Sequence, residues 1–119
     1  MMRFILPFPP SVNTAYVQGR NRRAKSRKVI SWEENAKEAI RLQSLPVVRY
    51  RCDIHYMLYR PDNRCRDAGN YEKYTTDLLV SSGILVDDSF RWVRKITTEW
   101  HDKMGGFIEV TISSPTPRL

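Results

Sequence analysis

The chain predicts a single α+β (α/β) domain with two main helices. Its 119 residues suit one modest core and leave no room for a second. Apolar residues alternate with period two from Val48 to Leu58 and again from Phe107 to Ile112. Between those stretches, Tyr71, Tyr74, Thr75, Leu78 and Leu79 repeat with the helical period. Strands and helices therefore alternate along the chain, with no internal repeat.

The elements follow in order. Phe4-Ile5-Leu6 is a short apolar run ended by Pro7, Pro9 and Pro10, which reads as an edge strand entering a turn. Residues 17–29 have dense positive charge and no apolar periodicity, so they read as a mobile basic loop. Ser31 and Glu34 have the spacing of a capping box, which predicts a first helix from Trp32 to Gln43. Ala36, Ala39 and Ile40 share its face, and Pro46 blocks continuation. In the long strand that follows, Val48, Tyr50, Cys52, Ile54, Tyr56 and Leu58 point one way. Arg49, Arg51, Asp53 and His55 point the other way. Cys52 is then a small core residue, and His55 a surface or groove histidine.

Arg60 to Arg66 is a loop, with Pro61, Asp62 and Asn63 as turn residues. A second helix is expected from Asn70 to Ser82, with Gly83 as its stop. Ile84-Leu85-Val86 is a brief apolar run closed by Asp87-Asp88. Trp92 to Trp100 alternates as a strand, and Gly105-Gly106 turns the chain into the last one. Residues 114–119, with Pro115 and Pro117, read as a frayed tail.

Charge narrows the function. The chain carries 20 Lys and Arg against 13 Asp and Glu, a formal net charge of +7. That balance points to a polyanion, nucleic acid above all. No apolar run is long enough to span a membrane, and Arg3 with the early prolines interrupts any leader-like start. Cys52 and Cys65 are too few for a disulfide scaffold, and with His55 and His101 they form no zinc pattern. A reducing, cytoplasmic setting is the expectation. An RNA-binding module is disfavoured, because neither a Gly-aromatic motif nor a GxxG loop is present.

The acidic residues cluster where a basic chain would not otherwise put them, in Arg66-Asp67-Ala68-Gly69-Asn70-Tyr71-Glu72-Lys73 and in Asp87-Asp88. Carboxylates repel phosphate unless a cation lies between, so the pattern suggests a divalent metal bridging protein and nucleic acid. Lys73 at the edge of the cluster suits stabilisation of charge on a phosphate being cut. Plain structural readings stand beside this: Asp67 as a helix N-cap, Lys73 and Asp77 as a helical ion pair, Asp87-Asp88 as a turn. In the basic stretch, Arg20, Arg22, Arg23, Lys25, Arg27 and Lys28 repel one another, and a phosphate backbone would relieve that. Arg64 and Arg66, beside the acidic cluster, are further candidate DNA contacts.

The order Pro-Phe-Pro-Pro-Ser-Val-Asn at 7–13, Arg-Pro-Asp at 60–62, Arg66-Asp67, Asn70, Lys73, Asp77 and Asp87-Asp88 resembles the RusA family of Holliday-junction resolvases. The resemblance covers almost the whole chain. It implies a mixed sheet, a homodimer, Mg2+ or Mn2+, and paired cuts across a four-way DNA junction in recombination and repair. It implies a phage or prophage origin, and neither a membrane nor a small-molecule cofactor. By its pattern Asp67, Lys73 and Asp88 are catalytic, with Asp67 and Asp88 as metal ligands. The pattern's middle aspartate falls on Gly69. Three consequences are open: Glu72 substitutes for it, Asp87 joins Asp88, or the protein binds junctions and cleaves them weakly or not at all.

Overall fold

The computed structural model describes residues 1–11, 16–18 and 23–115. Four strands form one sheet in the order β1 (Met2–Pro7), β6 (Phe107–Ser113), β4 (Cys52–Tyr59), β5 (Val93–Trp100). β1 and β4 pair with β6 antiparallel, whereas β4 and β5 are parallel. The sheet is therefore mixed, as the family resemblance implies. A parallel pair needs a long crossover, and here it contains α2 (Glu72–Ser81). The Gly105-Gly106 turn joins strands that are not neighbours, since β6 lies on the far side of β4 from β5.

One face of the sheet carries the core. Phe4, Leu6, Cys52, Ile54, Tyr56, Leu58, Val93, Ile108, Val110 and Ile112 are buried. They pack in one cluster with Val29, Trp32, Ala36 and Ile40 of α1 (Arg27–Gln43) and with Tyr74, Leu78 and Leu79 of α2. The expected face of the second helix is borne out, and Gly83 ends it at a φ of +84°. Cys52 lies in the core, where burial pushes its thiol pKa up. Tyr56, the largest fully buried side chain, bonds Thr76 Oγ1 at 2.7 Å, so its hydroxyl is satisfied inside the core. No helix among the described residues is long and apolar enough to cross a membrane.

β1 is the edge strand that the proline pattern predicts. Its outer side is closed by Gln43, whose amide accepts from Ile5 N at 3.2 Å and donates to Ile5 O at 2.9 Å. Trp32 Nε1 donates to Pro7 O at 2.9 Å and ties α1 to the same strand.

Three expectations are corrected. The first helix begins at Arg27, not Trp32, because Ser26 rather than Ser31 is its cap and accepts from Val29 N at 3.4 Å. Val29 then joins Trp32, Ala36 and Ile40 on one buried stripe, which offsets the poor start that Arg27 and Lys28 give near a positive dipole end. Second, the basic segment is not all loop. Its described backbone forms a separate ribbon of β2 (Tyr16–Gln18) and β3 (Arg23–Lys25), and residues 27–29 are helical. Third, β4 starts at Cys52. Val48 forms only a bridge to Leu85, and Tyr50 is exposed, because no neighbouring strand extends to cover it.

Candidate functional site

The loop after β4 sets out the chemistry. Asp62 accepts from Arg66 Nη2 at 2.9 Å, from Arg64 N at 2.9 Å and from Arg64 Nε at 3.2 Å. These bonds, Arg66 foremost, hold its carboxyl well below the usual carboxylate range. The Arg66 side chain is only 10 % exposed. Its guanidinium lies 6.0 Å from the Phe8 ring centroid, and its carboxylate partner raises its pKa. Arg66 is thus a clamp within the loop, and its side chain also lines the cleft beside it. Arg64, with 80 % of its side chain exposed, stays open to a DNA contact.

Behind this loop Phe8, Tyr71 and Trp100 pack as an aromatic cluster, with ring centroids 5.0 to 6.1 Å apart. Tyr71 closes a short 3-10 turn, Ala68–Asn70, whose backbone bonds run from Asn70 N to Asp67 O and from Tyr71 N to Ala68 O. The cluster therefore anchors the turn that Asp67 precedes. The expected position of Asp67 is corrected in detail. It sits at the N-cap position of this turn, not of α2, and its carboxylate makes no capping bond.

Asp67, Lys73, Asp77, Asp87 and Asp88 are all exposed. None of them forms an ion pair with a described residue, so the plain reading of Lys73 and Asp77 as a helical pair fails. Asp87 is engaged within its own turn, accepting from Asp88 N and from Ser89, and its carboxyl pKa is lowered by those bonds. Glu72 is half-buried and accepts from Thr76 Oγ1 at 3.3 Å. Gly69 is exposed, has no positive φ, and a Cβ built on it meets nothing within 4 Å.

The structure does not gather the acids. Among the described residues no group of three His, Cys, Asp or Glu is placed to hold a metal ion. The topology gives the reason. β4 and β5 are parallel, so α2 must return the chain from the far end of β4 to the near end of β5. Asp67 precedes the helix and Asp88 follows it, with ten residues or roughly 15 Å of helix between.

Next to the loop lies a cleft of about 820 Å³. Arg27, Lys28, Arg64 and Arg66 line it, with Phe8, Trp32, Tyr71 and a run of prolines, and no carboxylate among the described residues does. The first turn of α1 carries no acid either. The cleft is thus a positive surface on which an anion would be attracted by side chains and helix end together. Arg20 and Arg22 lie outside the described residues, and the side chains of Arg23 and Lys25 are not described. Sequence reasoning missed the parts played by Phe8 and Trp100; their only signal was the Pro-Phe-Pro-Pro run and an aromatic at a strand end.

Comparison with known proteins settles the family. The family model described as Endodeoxyribonuclease RusA matches residues 7–113. The chain belongs to the RusA family. It is 31 % identical over 117 residues to the crossover junction endodeoxyribonuclease rusA of Enterobacteria phage 82, covering 91 % of this chain and 90 % of that protein. It is 31 % identical over 87 residues to the protein of the same name from Enterobacteria phage HK97, covering 72 % of each. Both relatives are phage proteins, in keeping with the expected phage or prophage origin. The Pro-Phe-Pro-Pro start and the segment from Arg60 through Asp88 both fall inside the matched range.

Proposed function

We propose that this chain is a metal-dependent endonuclease that recognises four-way DNA junctions and cuts them in pairs, as a homodimer. One observation carries the reading. On a chain of net charge +7, Asp67 and Asp88 stay exposed and form no ion pair with a described residue, while Asp53 and Asp62 each hold an arginine. Carboxylates left free on so basic a protein are suited to a cation from solution. Oxygen donors are the right chemistry for Mg2+ or Mn2+, and Mg2+ is commonly bound by one or two carboxylates together with substrate phosphate. The donor set therefore fits without a third aspartate.

Asp67 and Asp88 would hold the cation. Because one chain keeps them apart, a two-fold dimer would pair Asp67 of one protomer with Asp88 of the partner subunit. When bound, the cation supplies an activated water and offsets phosphate charge. Lys73 places an ammonium in the first turn of α2, directly after the turn that Asp67 precedes, where it would stabilise charge that builds on the phosphate. Arg27, Lys28 and Arg64 would hold the phosphate backbone, which fixes position without reading sequence. A two-fold protein matches the two equivalent strands of a junction.

The test is cleavage of a synthetic four-way junction with and without Mg2+ or Mn2+, beside a duplex of equal length. Metal-dependent paired nicks confined to the junction support the proposal. A second reading, junction binding without cutting, is favoured by Gly69, which puts no carboxylate on the acidic turn beyond Asp67. Tight binding with no cleavage in any divalent metal would establish that reading instead. In either case, replacing Arg27 and Lys28 by Gln should weaken binding and flatten its salt dependence by about two phosphate contacts.

A further inference from the structure

Two residues after Asp88 the chain leaves an aromatic ring in water: Phe90 is 73 % exposed. An apolar side chain alone on a surface needs no explanation. Its setting makes this one different. The backbone that carries it is locked. Ser89 O accepts from Trp92 N and from Val93 N, both at 2.9 Å, which puts Phe90 and Arg91 at the corners of a tight turn. Arg51 Nε donates to Phe90 O at 2.8 Å, and Cys52 N donates to Trp92 O at 2.9 Å, so the turn is fastened to the start of β4. Asp87 fastens its other end by accepting from Asp88 N and from Ser89.

The surroundings are basic. Arg49, Arg51 and Arg91 are exposed and form no ion pair with a described residue. The Arg91 guanidinium lies 6.0 Å from the Phe90 ring centroid, the outer limit of a cation–π contact, and the ring stays largely open. Tyr50, between Arg49 and Arg51, is a second ring at 40 % exposure. Position completes the setting. Two residues of chain span at most about 7 Å, and bases follow one another about every 3.4 Å along a duplex. Phe90 is therefore within a few base steps of any phosphate held at Asp88. A ring fixed among free arginines suits the face of a nucleic-acid base, with the cations on the phosphates beside it.

We propose that Phe90 selects the junction over duplex DNA by stacking on a base at the branch point. The inference rests on the junction reading of the proposed function and adds the residue that would give it selectivity. In continuous duplex each base face is covered by its neighbours, and a wedge must unstack a step to enter. At a four-way branch the arms meet as duplex ends, so a base face is opened there at less cost. The phosphates that Arg27, Lys28 and Arg64 would hold are common to both DNAs and cannot tell them apart. A ring that needs an open base face can. The locked turn also has little freedom left to lose on binding.

The test uses the full chain in EDTA, so that binding is read without cleavage. Affinities for an immobile four-way junction and for a duplex of equal length are measured for the parent, Phe90→Ala and Phe90→Trp. Phe90→Ala should lower the ratio of junction to duplex affinity about ten-fold. Phe90→Trp keeps a stacking face and should stay near the parent; a loss equal to that of Phe90→Ala overturns stacking as the cause. A fluorescent purine analogue at the branch, which brightens when it parts from its neighbours, should brighten with the parent and not with Phe90→Ala. If either the ratio or the branch signal is the same in Phe90→Ala as in the parent, the assignment of Phe90 falls and junction binding stands. A parent that binds the junction no better than duplex overturns the junction reading and this inference with it. Sedimentation of Phe90→Ala is the last check. A changed oligomeric state would place the ring against protein instead of DNA, which also overturns the proposal.

Discussion

Asp62 and Asp67 lie five residues apart on one loop and meet opposite fates. Asp62 is bound by Arg66 and Arg64, and its carboxyl stays ionised far into acid. Asp67 has an arginine as its immediate neighbour and takes no bond from it. The backbone explains the difference. Asp67 is extended, at φ −99° and ψ 130°, and successive side chains on extended backbone point to opposite sides. Arg66 turns inward onto Asp62 and Phe8, and Asp67 turns out to solvent. One carboxylate is consumed by the fold, and the other is left for something the chain does not supply.

The sharpest way to break this comparison is to neutralise each kind of carboxylate in turn. If the free ones hold the cation, Asp67→Asn or Asp88→Asn should reduce junction cleavage to background while leaving binding equal or stronger, since a charge that repels phosphate is gone. Asp62→Asn should leave the chemistry intact and lower the melting temperature, because Arg66 loses its partner in a largely enclosed site. Equal losses of cleavage in all three would mean that the loop matters only as a folded unit. Lys73→Ala tests the same site from the cationic side. It should slow cleavage by on the order of 10²-fold with little change in binding, the mark of an interaction made in the transition state.

Much of this arrangement was legible in the sequence, and what was not has definite physical causes. The periodicity of Tyr71, Tyr74, Thr75, Leu78 and Leu79 marked α2, because a helix packed on a sheet must bury one stripe. The first turn of α1 was hidden, since Arg27 and Lys28 give it the composition of a solvated loop and only Val29 carries the apolar signal. Tyr50 kept the alternation of β4 but lies beyond the paired strand, and no local pattern records where a neighbour ends. The enclosure of Arg66 was not legible, because it depends on Phe8, which is distant in sequence. The separation of Asp67 from Asp88 was within reach. The helix expected from Asn70 to Ser82 already sets the residues before and after it at opposite ends.

Gly69 sharpens the comparison by adding a carboxylate instead of removing one. Gly69→Asp meets no backbone penalty, as its φ is not positive, and no steric one, as nothing lies within 4 Å of the added Cβ. Stability should be unchanged within error. A third carboxylate two residues from Asp67 should raise cleavage about ten-fold at limiting Mg2+ and less at saturation, since its main effect is on metal affinity. A stable variant with unchanged metal dependence would show that residue 69 does not face the cation. Glu72→Gln would then ask whether Glu72 already serves, against the observation that Thr76 bonds it.

The smallest effect expected is in acid, and it isolates Asp62, the carboxylate that the fold consumes. Asp62 has a folded pKa depressed below its unfolded value, so the unfolded chain takes up a proton before the folded one does. Its stabilising contribution is therefore complete above the ordinary carboxylate pKa of about 4. It fades as the pH falls below that value, and it is lost only once the folded carboxyl itself is protonated. Asp53, lowered chiefly by its bond from Arg94, behaves in the same direction. Urea unfolding of the parent and of Asp62→Asn between neutral pH and strong acid should give curves that converge as the pH drops below this range, with the parent losing more. Curves that stay parallel instead would mean that Arg66 and Arg64 contribute nothing measurable to the ionised form of Asp62.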